Sequence, residues 1–437
     1  MASKEVADAS SNSDSKDPFW TRNPNPKHLT VPAHGCCVVT VLIIFKGRVI
    51  TASDDNTIQV RSLETGELIH DLKGHSGGVW SLKATNNRTL ISGSTDRTIR
   101  VWDLETGECT HIFGGHQSTV RAMAVVEPEI VDVEDENGAV RKEKWPKRTL
   151  LVSGSRDHTL RVWTVPKAGD PTYFPLGDED EWEEADVDRQ NPYHRLVLTG
   201  HMHAVRDVDA RGRTAVSGSY DTNVKVWDII TGTCLFSFSG HSEKVYAVAL
   251  DLQSRQVFSS GLDSIVRVWQ LDSSKAEHDI LRGHSSMIGL IALSPSHKTL
   301  VSGSADSTLR IWNAEGGELQ GVAVGHEDAI SSFQHDDSKI ISGATGKVKM
   351  WNTHDGTFIR DLLTGVVSVW CVRFEGQWCV SASNRDDFTM LDIWDFGLGY
   401  DNHDEHEDGR GDWEDEGDED KDANQKIAAY GATVKVD

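Results

Sequence analysis

The 437-residue chain lacks several features that would have narrowed its chemistry at once. Cysteine is scarce, with six residues at positions 36, 37, 109, 234, 371 and 379, and no two stand as C-x-x-C. That excludes a disulfide framework and the usual zinc spacings, and fits a reducing compartment, nucleus or cytoplasm. No apolar run reaches the roughly 18 residues of a membrane span. Residues 1–27 carry no apolar core behind a basic start, so no secretory signal is expected. Basic residues are outnumbered, 44 Lys+Arg against 68 Asp+Glu, for a formal charge of −24. A general nucleic-acid binder needs a basic footprint, and this balance argues against one.

The acid is concentrated. Residues 401–422 are net −11 and residues 178–189 net −7, so the rest of the chain is nearly balanced. Runs of this kind are solvated and disordered as a rule.

What the chain does have is a repeat of about 41 residues. Each copy carries Gly-His, then a Ser/Gly-rich turn with Asp, then an alternating apolar run ending in Trp. Five copies are regular: His75, Asp96 and Trp102; His116, Asp157 and Trp163; His201, Asp221 and Trp227; His241, Asp263 and Trp269; His284, Asp306 and Trp312. In all five, Asp stands four positions after Ser and Trp six positions after Asp. This is the WD-repeat signature of a β-propeller blade. Three further copies are degenerate. The first has His34, Thr51 and Asp55, but Arg61 where Trp belongs. The seventh has His326, Ser342 and Trp351 and no Asp. The eighth runs from about Gly365 to Trp394 without a His. The expectation is an all-β, eight-bladed WD-repeat propeller over residues 28–397, with disordered segments at 1–27 and 398–437.

Within each copy, His, Ser/Thr, Asp and Trp are expected to form a buried hydrogen-bonded tetrad, because unpaired polar groups inside a blade are costly. This accounts for His next to Asp without catalysis or a metal. No Ser/His/Asp triad, glycine-rich phosphate loop or metal spacing stands outside the repeats, so no enzyme, cofactor or metal is expected. An apolar strand precedes each Gly-His, at 68–72, 109–113, 196–198 and 234–238, but none follows Trp394. Residues 28–32 fit that missing strand and should close the ring. Two insertions in the third repeat, at about 127–147 and 165–193, should emerge on the face opposite the Gly-His turns.

Positions that the tetrad leaves free point to a site. The residue five after each His lies at the channel mouth: Val39, Trp80, Arg121, Arg206, Tyr246, Gly289, Ser331 and, counting from Gly365, Trp370. The residue before each tetrad Asp shares that rim and includes Thr95, Arg156 and Tyr220; the residue after it includes Arg97. Arg97, Arg121, Arg156 and Arg206 thus come from three consecutive blades, with Tyr220, Tyr246 and Lys244 continuing the arc and Trp80 and Trp370 opposite. Arg offers forked donors suited to phosphate. The competing reading is that these Arg only pair with neighbouring Asp.

Gly-Gly-Val-Trp at 77–80, Ser-Gly-Ser-Thr-Asp-Arg-Thr at 92–98, Ser-Thr-Val-Arg at 118–121, Ser-Gly-Ser-Arg-Asp at 153–157, Gly-His-Met-His-Ala-Val-Arg at 200–206 and Ser-Gly-Ser-Tyr-Asp at 217–221 carry a resemblance. Over about residues 28–397 the chain resembles the cell-division-control F-box/WD-repeat receptors, the substrate-recognition subunits of Skp–cullin–F-box ubiquitin ligases. The insertion ending Asn191-Pro192-Tyr193 resembles the fungal members. The resemblance implies binding of a phosphodegron: apolar residues, phosphoThr or phosphoSer, then Pro. It implies that Arg121, Arg156 and Arg206 hold the phosphate with Arg97 in support. Thr95, Thr119 and Tyr220 would line the pocket, Trp80 and Trp370 would pack round the proline, and Lys244 would stand where relatives can carry Arg. The family's F-box has no counterpart in the roughly 27 residues before the first repeat. The Skp adaptor is therefore expected as a partner only if an F-box is supplied elsewhere. A decoy for phosphorylated targets and a general WD-repeat scaffold binding unmodified partners remain as alternatives.

Overall fold

The computed structural model describes residues 20, 23–86, 88–134, 140–175, 191–271 and 279–397. The two acidic runs, the segment 398–437 and most of residues 1–27 lie outside the described residues. Eight four-stranded antiparallel sheets form the blades of a propeller. Blade 1 has strands Val39–Phe45, Arg48–Ser53, Ile58–Ser62 and Leu68–Leu72, ordered from the innermost outward. Blades 2 to 7 follow the same order and begin at Val79, Val120, Val205, Val245, Ile288 and Ser332. An apolar cluster lies between each pair of adjacent blades, eight in all among the described residues. The strands bury residues on both faces, so they read as Val/Ile-rich runs rather than strict alternation.

Blade 8 comprises Ser368–Glu375, Trp378–Arg385 and Phe388–Asp395, and its outermost strand is Lys27–Pro32 from the other end of the described chain. That strand pairs antiparallel with Phe388–Asp395 from Lys27↔Asp395 to Pro32↔Met390. The ring closes as expected, which removes an open sheet edge.

The tetrads form in the five regular blades. In blade 2, His75 Nδ1 is 2.6 Å from Asp96 and Nε2 2.7 Å from Ser92 Oγ, which also accepts Trp102 Nε1–H at 2.8 Å. Burial pushes the Asp96 carboxyl up, but hydrogen bonds from His75 and Thr98 outweigh it and bring it down to about 2. In blade 1, His34 contacts Asp55 and Thr51, while Arg61 donates to Gly66 O and Gln59 in place of the Trp. The Ser-Gly-Ser glycine has a packing cause. A Cβ at Gly93 would come within 2.6 Å of Ser81 Oγ and 2.8 Å of Val120, a residue of the next blade's innermost strand.

The insertion in blade 3 contains a two-stranded hairpin, Glu129–Glu134 with Val140–Trp145, between the first and second strands. The second insertion begins by lying along the outer strand of blade 2, where Ile112 N–H donates to Tyr173 O.

One boundary needs correction. Residues up to 27 read as a disordered segment, yet Trp20 is 3% exposed and docked between blades 7 and 8. Its ring stacks on Phe396 at 3.9 Å, its Nε1–H donates to Gly376 O, and Lys339 Nζ lies 4.7 Å over it. Arg360 donates to the carbonyls of Trp20, Asn23 and Pro24. A polar composition masked one buried aromatic anchor, whose area alone is worth about 2 kcal/mol or more.

Candidate functional site

The rim side chains are aimed by a repeated backbone irregularity. Where the innermost strand of a blade pairs with the second, the register shifts by one residue between Val79 and Ser81, Val120 and Ala122, Val205 and Asp207, Val245 and Ala247, Ile288 and Leu290, and Val369 and Cys371. The bulged residues are Trp80, Arg121, Arg206, Tyr246, Gly289 and Trp370. A bulge turns one side chain out of the pleat while its neighbours stay in the core. Blade 1 departs from the expected pattern. Its bulge falls between Val39 and Val41, so the extra residue is Thr40, and both Thr40 and Val39 are buried.

The second strand and its turn supply the other positions. The residue after each tetrad Asp has a left-handed backbone, with φ of 73° at Arg97 and at His158. The same geometry recurs at Asn56, Thr222, Ser264 and Ser307, so it belongs to the turn and not to a ligand.

These elements bring most of the expected residues together. Arg121 lies with its guanidinium 4.6 Å over the Trp80 ring, and Arg206 lies 5.7 Å from the Tyr246 ring. Tyr220 and Tyr246 are 5.4 Å apart, and Lys244 Nζ sits 4.8 Å over Tyr220. Burial, with Tyr220 beside it, raises the Tyr246 phenol above its usual value, so it stays a neutral hydroxyl. A cavity of about 410 Å³ opens among Ser118, Arg156, His203, Ala204, Tyr220, Lys244 and Tyr246. Arg156 and Lys244 are exposed on its wall, and neither makes an ion pair within the described residues. Thr119, expected on the pocket wall, is buried and not part of this lining; its carbonyl accepts the Arg156 N–H.

Other expected residues stand apart from this cavity. Arg97 lines a small separate space with Asp96, Thr98 and Gly114–Gln117. Thr95 is exposed on its own turn, its N–H donating to Gly78 O. Trp370 packs on the cluster between blades 8 and 1. Ser118 and His203 were not singled out from the sequence. Both stand two residues after a tetrad His, and reading that offset round the ring would have found them.

The family model described as "WD domain, G-beta repeat" matches residues 66–103, 143–164, 193–228, 232–270, 276–313 and 317–352. Among curated proteins, the chain is 40% identical over 378 residues to cell division control protein 4 of Candida albicans, covering 85% of this chain and 53% of that one. It is 34% identical over 393 residues to the protein of the same name in Saccharomyces cerevisiae (85% and 48%). It is 33% identical over 324 residues to the F-box/WD repeat-containing protein sel-10 of Caenorhabditis elegans (60% and 51%). The chain spans about half the length of these relatives. Among solved structures, the computationally designed Ika8 protein superposes with a TM-score of 0.62 at 26% identity, over 83% of this chain and 98% of that one.

Proposed function

The chain is a WD-repeat propeller, and we propose that its rim binds phosphorylated Ser/Thr-Pro peptides as the substrate-recognition module of a Skp–cullin–F-box ubiquitin ligase. The observation that carries the reading is Arg156, exposed on the wall of the cavity beside Lys244 and without an ion pair among the described residues. Neither Arg156 nor Lys244 has a carboxylate as an ion-pair partner among the described residues. Holding like charges together without one disfavours the empty site and favours an anion between them. Arg121 and Arg206 stand on the bulges next to it, and Tyr220 and Tyr246 supply hydroxyls. On this reading Arg121, Arg156 and Arg206 hold the phosphate, Arg97 supports the turn beside them, and Trp80 receives the proline. The names of the relatives, cell division control and F-box/WD repeat, support the ligase context. Docking to the Skp adaptor then requires an F-box joined to this propeller.

Calorimetric titration tests it, using a peptide of the form apolar-apolar-phosphoThr-Pro and its unphosphorylated twin. The phosphorylated peptide binds and the twin does not. A charge-assisted hydrogen bond contributes roughly 1.5–3 kcal/mol, so Arg156→Ala loses about tenfold or more, and Arg156→Lys recovers little of it. Equal wild-type affinity for both peptides would remove the phosphate reading and leave a scaffold for unmodified partners.

A further inference from the structure

We propose that His203 is a further ligand-binding residue of the rim, donating its Nε2–H to a phosphate oxygen beside Arg156; this rests on the phosphopeptide reading above. His203 lies in the turn that enters blade 4, two residues after the tetrad His201, and lines the cavity with Arg156 and Lys244. Its Nδ1 accepts the Ala204 backbone N–H at 2.8 Å. The ring proton therefore sits on Nε2, on the opposite edge of the ring, which leaves a donor on the exposed side.

The ring plane is set as well. His158 stacks against it at 5.7 Å and 29°, and Tyr220 lies 5.9 Å away at 48°. The backbone is held by Ser219 Oγ donating to His203 O at 3.0 Å. Tautomer, ring plane and backbone are thus in place before a ligand arrives, so little ordering entropy opposes the contact.

A neutral donor at this point has a chemical use. Arg156 and Lys244 already place two positive charges on the cavity wall. With Arg121 and Arg206 on the bulges beside it, a further cation would add repulsion to the empty site, whereas an imidazole N–H adds a directional bond without it. Ser118 holds the same offset in blade 3 and lines the same cavity. Neutral donors from two neighbouring blades therefore flank the charged groups.

The test is calorimetric titration of wild type, His203→Ala, His203→Asn and His203→Gln with the phosphoThr-Pro peptide and its unphosphorylated twin. Gln places an amide N–H near the Nε2 position and Asn does not. The Ala and Asn variants bind the phosphopeptide about three- to tenfold more weakly, and Gln stays within about twofold of wild type. Melting temperatures are unchanged, since the side chain is exposed and outside the tetrad. A wild type that discriminates the two peptides, with His203→Ala binding as well as wild type, overturns the inference and leaves the rim reading standing. Gln losing as much as Ala also overturns it, because ring packing and not the donor would then matter. A wild type that does not discriminate removes the rim reading, and this inference with it.

Discussion

Arg121 and Trp80 form one unit across two blades, the guanidinium lying 4.6 Å over the indole. Each is the bulged residue of its innermost strand, so the contact joins blades 2 and 3 at the rim. A cation–π pair of this kind is worth about 0.5–1 kcal/mol when exposed and more when a ligand dries it. Trp80→Ala thus removes the aromatic wall and also loosens Arg121. The losses from Trp80→Ala and Arg121→Ala in phosphopeptide affinity should overlap. The double variant is expected to bind better than the two single losses predict, by about 0.5 kcal/mol or more. A double-mutant cycle by calorimetry measures this. Strict additivity would mean that the stacking does not position Arg121.

The second prediction concerns ring closure. Asp392 is fully buried in blade 8 and accepts from three groups. Thr30 Oγ1 and His28 Nε2, both on the closing strand, lie 2.8 Å from it, and Arg385 contacts both of its oxygens at 2.5 and 2.6 Å. His28 also stacks on Trp394 at 4.8 Å. The main-chain ladder closes the sheet, and Asp392 fastens it from inside. Asp392→Ala removes the acceptor that these three groups share, at about 1.5–3 kcal/mol for hydrogen bonds to a charged group, so it should lower the melting temperature. The pair His28→Ala with Thr30→Val should cost less, since Arg385 still neutralises the carboxylate. If the double variant melts with wild type, the strand is held by its backbone bonds alone.

What the sequence made legible was everything tied to the repeat. The tetrad offsets give the blade count, the ring closure at 28–32 and the placing of Arg121, Arg156, Arg206 and Tyr246, because a fixed spacing on a fixed scaffold maps directly to position. Departures from the repeat were not legible. In blade 1 the bulge moves one residue along, to Thr40, whose hydroxyl donates to Ala52 O at 3.1 Å and reaches Val79 O of the next blade. Periodicity could not show that shift. Trp20 has no counterpart in any repeat, and its partners Lys339, Arg360 and Phe396 come from blades far away in sequence. His203 was passed over because a His two residues after a tetrad His reads as turn composition until Ala204 N–H and Tyr220 are seen to orient it.

The last prediction follows from the incomplete tetrad of blade 7. His326 Nε2 is 2.8 Å from Ser342 Oγ, which accepts Trp351 Nε1–H at 2.8 Å, but among the described residues no Asp pairs with Nδ1. Burial, followed by the charge of Lys349, pushes this imidazole down to about 4. An unfolded His titrates near 6.5. The base is thus depressed on folding, and the unfolded chain takes the proton first. Stability is complete above about pH 6.5, falls as pH drops towards 4, and levels off below that, for a total of about 3 kcal/mol. The tetrad carboxylates act in a different window. Burial pushes Asp96 and Asp306 up, but their hydrogen bonds bring both to about 2, so their contribution is present above about pH 4 and lost between 4 and 2. His326→Gln separates the two. At pH 7.5 the variant should melt below wild type, having lost a shaped tetrad partner. As pH falls to 4.5 the gap should narrow by about 2 kcal/mol, because only the wild type carries the penalty of the depressed imidazole. His111, His284 and His335 are lowered too, but they are common to both proteins and cancel in the difference. Denaturant titrations of both proteins at pH 7.5, 6.0, 5.0 and 4.5 give the comparison. A gap that stays constant over that range would show that His326 keeps its proton on folding, and that the missing Asp has no thermodynamic consequence.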